Sequence, residues 1–200
     1  MRQRLSYLSE FVKEFVGNPG VIGSVSPSSQ FLAHAMLAGI PQDLKHATVV
    51  EYGPGSGAVT RHIMEKVHPN NKLIAFEVNP YFQELIRTKY PKIDLRPVSA
   101  AEINQELSSF LAVDYIISSI PFTFLPEAIC RQILIESFAA LRPGGCFSTF
   151  LYLQSFLFRK NQRFVQMAQQ IFGPASSRVV IRNMPPAVVL HFNKPDAITS

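Results

Sequence analysis

Val49-Val50-Glu51-Tyr52-Gly53-Pro54-Gly55-Ser56-Gly57 is the stretch that decides how the rest of the chain is read. Two valines and a tyrosine favour a short strand, Thr48 to Tyr52, and three glycines at alternate positions end it. Glycine tolerates positive φ and carries no Cβ, so such a turn lets backbone amides approach a ligand at the start of the next helix. That helix is expected from Val59, followed by a strand Leu73 to Glu77 and a helix from Pro80. Glu77 closes the second strand twenty residues beyond Gly57. A carboxylate there accepts from both hydroxyls of a ribose and disfavours a 2′-phosphate.

The alternation continues downstream. Strands are expected at Ile93 to Pro97, Val113 to Ser118 and Cys146 to Tyr152, with helices over Ala101 to Phe110, Pro126 to Leu141 and Asn161 to Phe172. Two further β-rich runs, Arg178 to Arg182 and Ala187 to Phe192, suit a closing hairpin. The expected architecture is α/β: a mostly parallel seven-stranded sheet with helices on both faces. Before it, Leu5, Leu8, Val12, Phe15 and Val16 recur at helical spacing among Arg2, Arg4, Glu10 and Lys13, giving an amphipathic opening helix that Asn18-Pro19-Gly20 ends. Ser26 reads as the cap of a second helix with Pro27 in its first position. We therefore divide the chain into an N-terminal helical segment, residues 1–46, and a core, residues 47–200.

At 200 residues and 47% apolar content, one domain with a substantial core is expected and a disordered chain is excluded. No apolar run reaches the length of a membrane span, and the opening residues lack a signal-peptide core, so a cytoplasmic protein is expected. The two cysteines, Cys130 and Cys146, lack metal-ligand spacing and sit in apolar surroundings; neither a disulfide nor a metal is expected. The net charge of +5 is unevenly placed. From Ser137 to Pro195 there are seven basic residues and no acidic one, while the residues before Ser137 hold 12 basic and 13 acidic groups. A one-sided basic surface attracts RNA or anionic lipid, and ordinary solvation is the plainer alternative.

The glycine loop alone is shared by several nucleotide-binding classes. Its G-x-G-x-G spacing, with Glu51 two residues ahead and Pro54 inside, resembles motif I of class I S-adenosylmethionine-dependent methyltransferases with a Rossmann-like fold. The resemblance implies S-adenosylmethionine as cofactor, without a metal. It would be held by Glu51, Gly53, Pro54, Gly55, Ser56 and Gly57, by Glu77 and Val78, and by Ser99 and Ala100 after the third strand. At that last place the family often has an acidic residue near the adenine, whereas this chain has Ser99; Glu102 or a backbone group is the substitute, or Glu102 is an exposed first-turn residue.

The acceptor should face the end of the fourth strand, which continues Ser118-Ser119-Ile120-Pro121-Phe122. This is a loose version of the N/D-P-P-Y/F run of enzymes that methylate nucleobase amines, with Ser in place of Asn. Taken with N-P-x-x-I-G-S-V-x-P-S-S (Asn18 to Ser29) and N-M-P-P-A (Asn183 to Ala187), it resembles bacterial phospholipid N-methyltransferases over nearly the whole chain. That implies methylation of an amine-bearing membrane lipid such as phosphatidylethanolamine, peripheral attachment to the inner face of an anionic membrane, and no obligate protein partner. Ser118, Ser119, Pro121, Phe122, Tyr152 and Asn183 are the expected acceptor-side residues, with Tyr81 a further aromatic candidate. The opening helix enters the lipid interface or caps the cofactor; Phe156 to Phe164 is a second apolar and basic stretch. An RNA adenine or a soluble small molecule is the alternative acceptor, and a non-catalytic binding protein the alternative class.

Overall fold

The structure is a computed structural model and describes residues 29–107 and 112–196. The opening helix and the Ser26-Pro27 pair lie outside the described residues. The first described helix, α1 (Gln30–Met36), is capped by Ser29, whose backbone is extended and whose Oγ accepts from Leu32 N at 3.2 Å. An extended residue cannot lie within a helix, so the described helix starts after Ser29.

The core then runs β1 (Thr48–Tyr52), α2 (Ala58–Lys66), β2 (Lys72–Phe76), α3 (Pro80–Lys89), β3 (Asp94–Arg96), a 3₁₀ turn at Ala100–Glu102, α4 (Ile103–Glu106) and β4 (Val113–Ser118). It continues through a 3₁₀ turn at Phe122–Phe124, α5 (Glu127–Ala140), β5 (Leu141–Tyr152), a 3₁₀ segment at Leu153–Leu157, α6 (Arg159–Phe172), β6 (Ser176–Val180) and β7 (Ala187–Asn193). The strands form one seven-stranded sheet ordered β3-β2-β1-β4-β5-β7-β6. Pairings from β3 through β5 are parallel, and β7 is antiparallel to both β5 and β6. The expected parallel sheet with a closing hairpin is what forms.

Several boundaries differ from the sequence reading. The third strand shrinks to three residues at the sheet edge. The helix expected over Ala101 to Phe110 is a 3₁₀ turn and one short α turn, because Ser99 and Glu102 close a capping box at Ala100; residues 108–111 lie outside the description. The fifth strand starts at Leu141, paired with Val113, and absorbs the glycine pair through a register shift. α6 begins two residues earlier than expected, at Arg159. β6 ends at Val180, since Ile181 to Pro186 form a turn in which Asn183 N donates to Val180 O.

Alternation along the strands loads both faces of the sheet. Val50, Tyr52, Ile116 and Phe147 pack with Cys130, Ile133 and Leu134 of α5 and Phe164, Met167, Ala168 and Phe172 of α6. Val49, Tyr115, Ile117 and Cys146 pack with Leu32, Ala33, Ala35 and Met36 of α1 and Val59 and Ile63 of α2. All five residues of β1 are buried, as a central parallel strand requires. The chain runs outward from β1 to β3, then crosses back to β4 on the other side of β1. That reversal opens a crevice at the carboxyl ends of β1 and β4, where ligands bind in such sheets.

Candidate active site

The glycine loop lies over this crevice. Gly53, Gly55 and Gly57 all have positive φ, and the Gly53 amide donates to Phe76 O at 2.9 Å, tying the loop to β2. A Cβ on Gly53 would stand 3.3 Å from the Ile120 side chain, so the loop is pressed against the segment after β4. Gly57 caps α2 in the left-handed region, and a Cβ there would come within 2.7 Å of the Tyr90 ring. Pro54 is buried, its carbonyl accepting from Gly57 N, while Ser56 is exposed at the tip.

Glu51 and Glu77 stand beneath and beside the loop. Glu51 is fully buried; Thr60 Oγ1 donates to its Oε2 at 2.8 Å, and its Oε1 has no hydrogen-bond partner. Burial pushes its pKa up to about 8, against the Thr60 hydrogen bond and with a smaller contribution from the Glu77 charge. Glu77 is also buried; its Oε2 accepts from Gly55 N at 3.1 Å and its Oε1 from Asn79 N at 2.9 Å. Burial raises its pKa, although backbone amides of Asn79, Gly55 and Val78 oppose that shift. Val78 is exposed at the same edge.

Ser99 and Ala100 come to the end of β3, but the Ser99 groups are engaged locally. Its Oγ accepts from Ala101 N, its N donates to Glu102 Oε1 and its carbonyl accepts from Glu102 N. Glu102 is thus the partner half of a capping box rather than a free first-turn acid.

On the other side of β1, Ser118 is fully buried, with its Oγ 3.4 Å from Ile120 N and its carbonyl accepting from Thr149 Oγ1. The next residue, Ser119, donates its amide to Tyr52 O at 2.9 Å and has a buried Oγ without a partner. Pro121 is exposed. Tyr152, half-buried at the end of β5, sits edge-on to Phe150, and burial raises the pKa of its hydroxyl.

Three expectations are not met by the geometry. The Phe122 ring is 1% exposed and stacked on Phe164 at 4.5 Å, so it belongs to the core and does not face the crevice. Asn183 is buried, its Oδ1 accepting from Ser29 N at 3.0 Å and its Nδ2 donating to Pro185 O at 2.7 Å; it clasps the β6–β7 turn to α1 instead of closing over an acceptor. Tyr81 is exposed at the start of α3, beyond β2 and away from β4. The sequence reading in turn missed Thr60, which fixes Glu51, and Asn79, which caps α3 and supports Glu77. Asn79-Pro80 is a helix-start signature that points to Asn79; nothing in the spacing singles out Thr60.

The crevice therefore offers a glycine cradle, a buried carboxyl oxygen and a buried hydroxyl that both lack partners, and a second carboxylate at the end of β2. This donor set fits a ligand that is an adenine nucleoside at one end and an ammonium at the other. Residues 49–145 match the methyltransferase domain family. The chain is 27% identical over 182 residues to an ornithine lipid N-methyltransferase of Singulisphaera acidiphila, covering 88% of this chain and 91% of that protein. A ribosomal RNA small subunit methyltransferase A of Koribacter versatilis is 37% identical over 71 residues, 35% of this chain and 24% of that one. The fold is similar to that of the spermidine synthase of Thermotoga maritima, with a TM-score of 0.62 and 19% identity over 84% of this chain; the chain spans 60% of that protein's length.

With that domain and that full-length relative, the chain is an S-adenosylmethionine-dependent methyltransferase enzyme. Among the described residues, this methyltransferase has no cluster of side chains that would hold a metal ion.

Proposed function

We propose that this methyltransferase acts on the primary amine of a membrane lipid, of the phosphatidylethanolamine kind, at the inner face of an anionic membrane. The observation that carries the reading is the buried, unpartnered Ser119 Oγ at the end of β4, on the opposite side of β1 from Glu77. Similarity to a lipid N-methyltransferase over nearly both full lengths supports the choice of acceptor. The nucleic-acid relative matches about a third of the chain.

Glu77 would accept from the ribose hydroxyls, the Gly53–Gly57 loop would hold the nucleoside and methionine parts, Val78, Ser99 and Ala100 would border the adenine, and Glu51 Oε1 would accept from the cofactor ammonium. When bound, S-adenosylmethionine supplies a methyl carbon on a sulfonium that already is a good leaving group. The acceptor half needs only to align a neutral amine in line with that carbon. The acceptor amine would have to be unprotonated to use its lone pair, and the proton lost from that amine would pass to solvent. Ser119 Oγ accepts one amine N–H and fixes its direction, with Ser118 and Pro121 shaping the turn. The Tyr152 ring, whose hydroxyl pKa burial raises, would offer its face to the cationic methylated product. Residues 1–46 are assigned either a capping role over the cofactor or a second, auxiliary membrane contact. No described helix is long and apolar enough to cross a membrane.

The test is transfer of radiolabelled methyl from S-adenosylmethionine to a bacterial lipid extract, run beside total RNA. Label in an amine-bearing phospholipid that is lost with Ser119→Val supports the reading. Label in RNA alone moves the acceptor to a nucleobase.

A further inference from the structure

The carboxyl edge of the sheet does not end at the crevice. Tyr152 at the end of β5, Val180 at the end of β6 and Ala187 at the start of β7 are register partners, so the segments that leave them emerge on one edge. Those segments carry an unusual load of exposed apolar side chains: Leu157 is 83% exposed, Met184 79%, Ile181 77% and Phe158 60%, with Leu153 beside them. They are physically linked. Leu153 N donates to Pro186 O at 2.8 Å, and the β6–β7 turn is tied to α1 both by Asn183 and by the Arg182 guanidinium, 5.1 Å from the Phe31 ring centre. Interleaved with them are Arg159, Lys160, Arg178 and Arg182, none ion-paired to a carboxylate among the described residues. Scattered exposed leucines need no explanation, but a contiguous apolar rim among unpaired cations marks an interaction surface.

We propose that this rim, formed by Leu153 to Phe158 and the Ile181 to Pro186 turn, is the face that docks on an anionic lipid bilayer; the inference rests on the lipid-acceptor reading. Ile181, Met184, Leu157 and Phe158 enter the interface, and the arginines and Lys160 meet lipid phosphates. Charge decides the occupant. The chain's own residues 1–28 carry Arg2, Arg4 and Lys13 against Glu10 and Glu14, the same sign as the rim. The exposed groups are mostly aliphatic or thioether, which suits hydrocarbon better than the aromatic platforms that stack bases. Docking on this edge turns the crevice mouth toward the headgroups, so an amine reaches Ser119 without the lipid leaving the bilayer.

The experiment is flotation of the full-length protein with vesicles of phosphatidylglycerol and phosphatidylcholine, against phosphatidylcholine alone. Binding to the anionic vesicles that weakens with salt is expected. Ile181→Asp with Met184→Asp, and separately Leu157→Asp with Phe158→Asp, should lower it at least ~10-fold. Cofactor binding by calorimetry and methyl transfer to lipid in detergent micelles should stay near the starting values. The chain has no tryptophan, so Leu157→Trp gives a single reporter whose emission should shift to the blue on the anionic vesicles. No binding by the unaltered protein, no blue shift, or loss of binding only when Leu8 and Val12 are replaced by Asp would each overturn the proposal. If micellar lipid is methylated but the rim variants float normally, the docking face is wrong and the acceptor reading stands. If vesicles bind through the rim but no lipid is methylated, the acceptor reading fails and the docking face is supported.

Discussion

One oxygen of the Glu51 carboxyl is held by Thr60 and the other has no partner, in a fully buried site. An ordinary carboxyl titrates near 4.5, whereas burial raises this one to about 8, so at neutral pH the unliganded protein holds it protonated. A cofactor ammonium at Oε1 favours the ionised form. Binding at pH 7 should therefore release close to one proton, read by calorimetry in buffers of different ionisation enthalpy, and Glu51→Gln should abolish the release. The sign for stability follows from the same shift. The folded chain binds this proton more tightly than the unfolded chain does, so the contribution is complete below about pH 4.5 and is lost as pH rises to about 8. Melting of the unliganded Glu51→Gln variant should lack that decline. At Glu77 the expected effect is on affinity. Glu77→Ala removes the ribose acceptor and should weaken cofactor binding roughly 10- to 100-fold, the effect of losing one or two hydrogen bonds to a charged group.

Turns and caps decide the next scale. Gly57 is left-handed and hemmed in by Tyr90, so Gly57→Ala should cost about 2 kcal/mol or more in denaturant unfolding, with loss of cofactor binding. Asn183 distinguishes a clasp from an acceptor-side role. Asn183→Ala leaves Ser29 N and Pro185 O without partners and should lower stability by about 1–3 kcal/mol, while kcat on micellar lipid stays unchanged. A fall in kcat without a fall in stability would return Asn183 to the chemistry. These elements also show where the sequence was readable. Tyr52 to Gly57 and Asn79-Pro80 carry their signals locally, in backbone chemistry that few residues satisfy. The helix start expected at Ser26-Pro27 lies outside the described residues, and the cap at Ser29 is seen only from its extended backbone. Phe122 follows a motif that points at the acceptor, yet its ring turns inward because Phe164, 42 positions away, offers a stacking face. Thr60, Asn183 and Phe122 owe their roles to tertiary partners that no local pattern specifies.

For the whole molecule, the sheet order brings two half-sites to one edge. Glu77 and the glycine loop stand at the ends of β2 and β1, and Ser119 stands past β4, joined to β1 through Tyr52 O. The same edge continues into the apolar and basic rim, so the late excess of positive charge seen in the sequence has a place in the fold. Methyl transfer requires the two half-sites to act together. Its most direct test is mass spectrometry of purified phosphatidylethanolamine incubated in detergent micelles with the enzyme and S-adenosylmethionine, with S-adenosylhomocysteine counted in the same sample. Methyl groups gained by the lipid should equal the S-adenosylhomocysteine formed, and at limiting cofactor both should fall in Glu77→Ala. S-adenosylhomocysteine formed without methylated lipid, or methylated lipid undiminished in Glu77→Ala, would contradict this account.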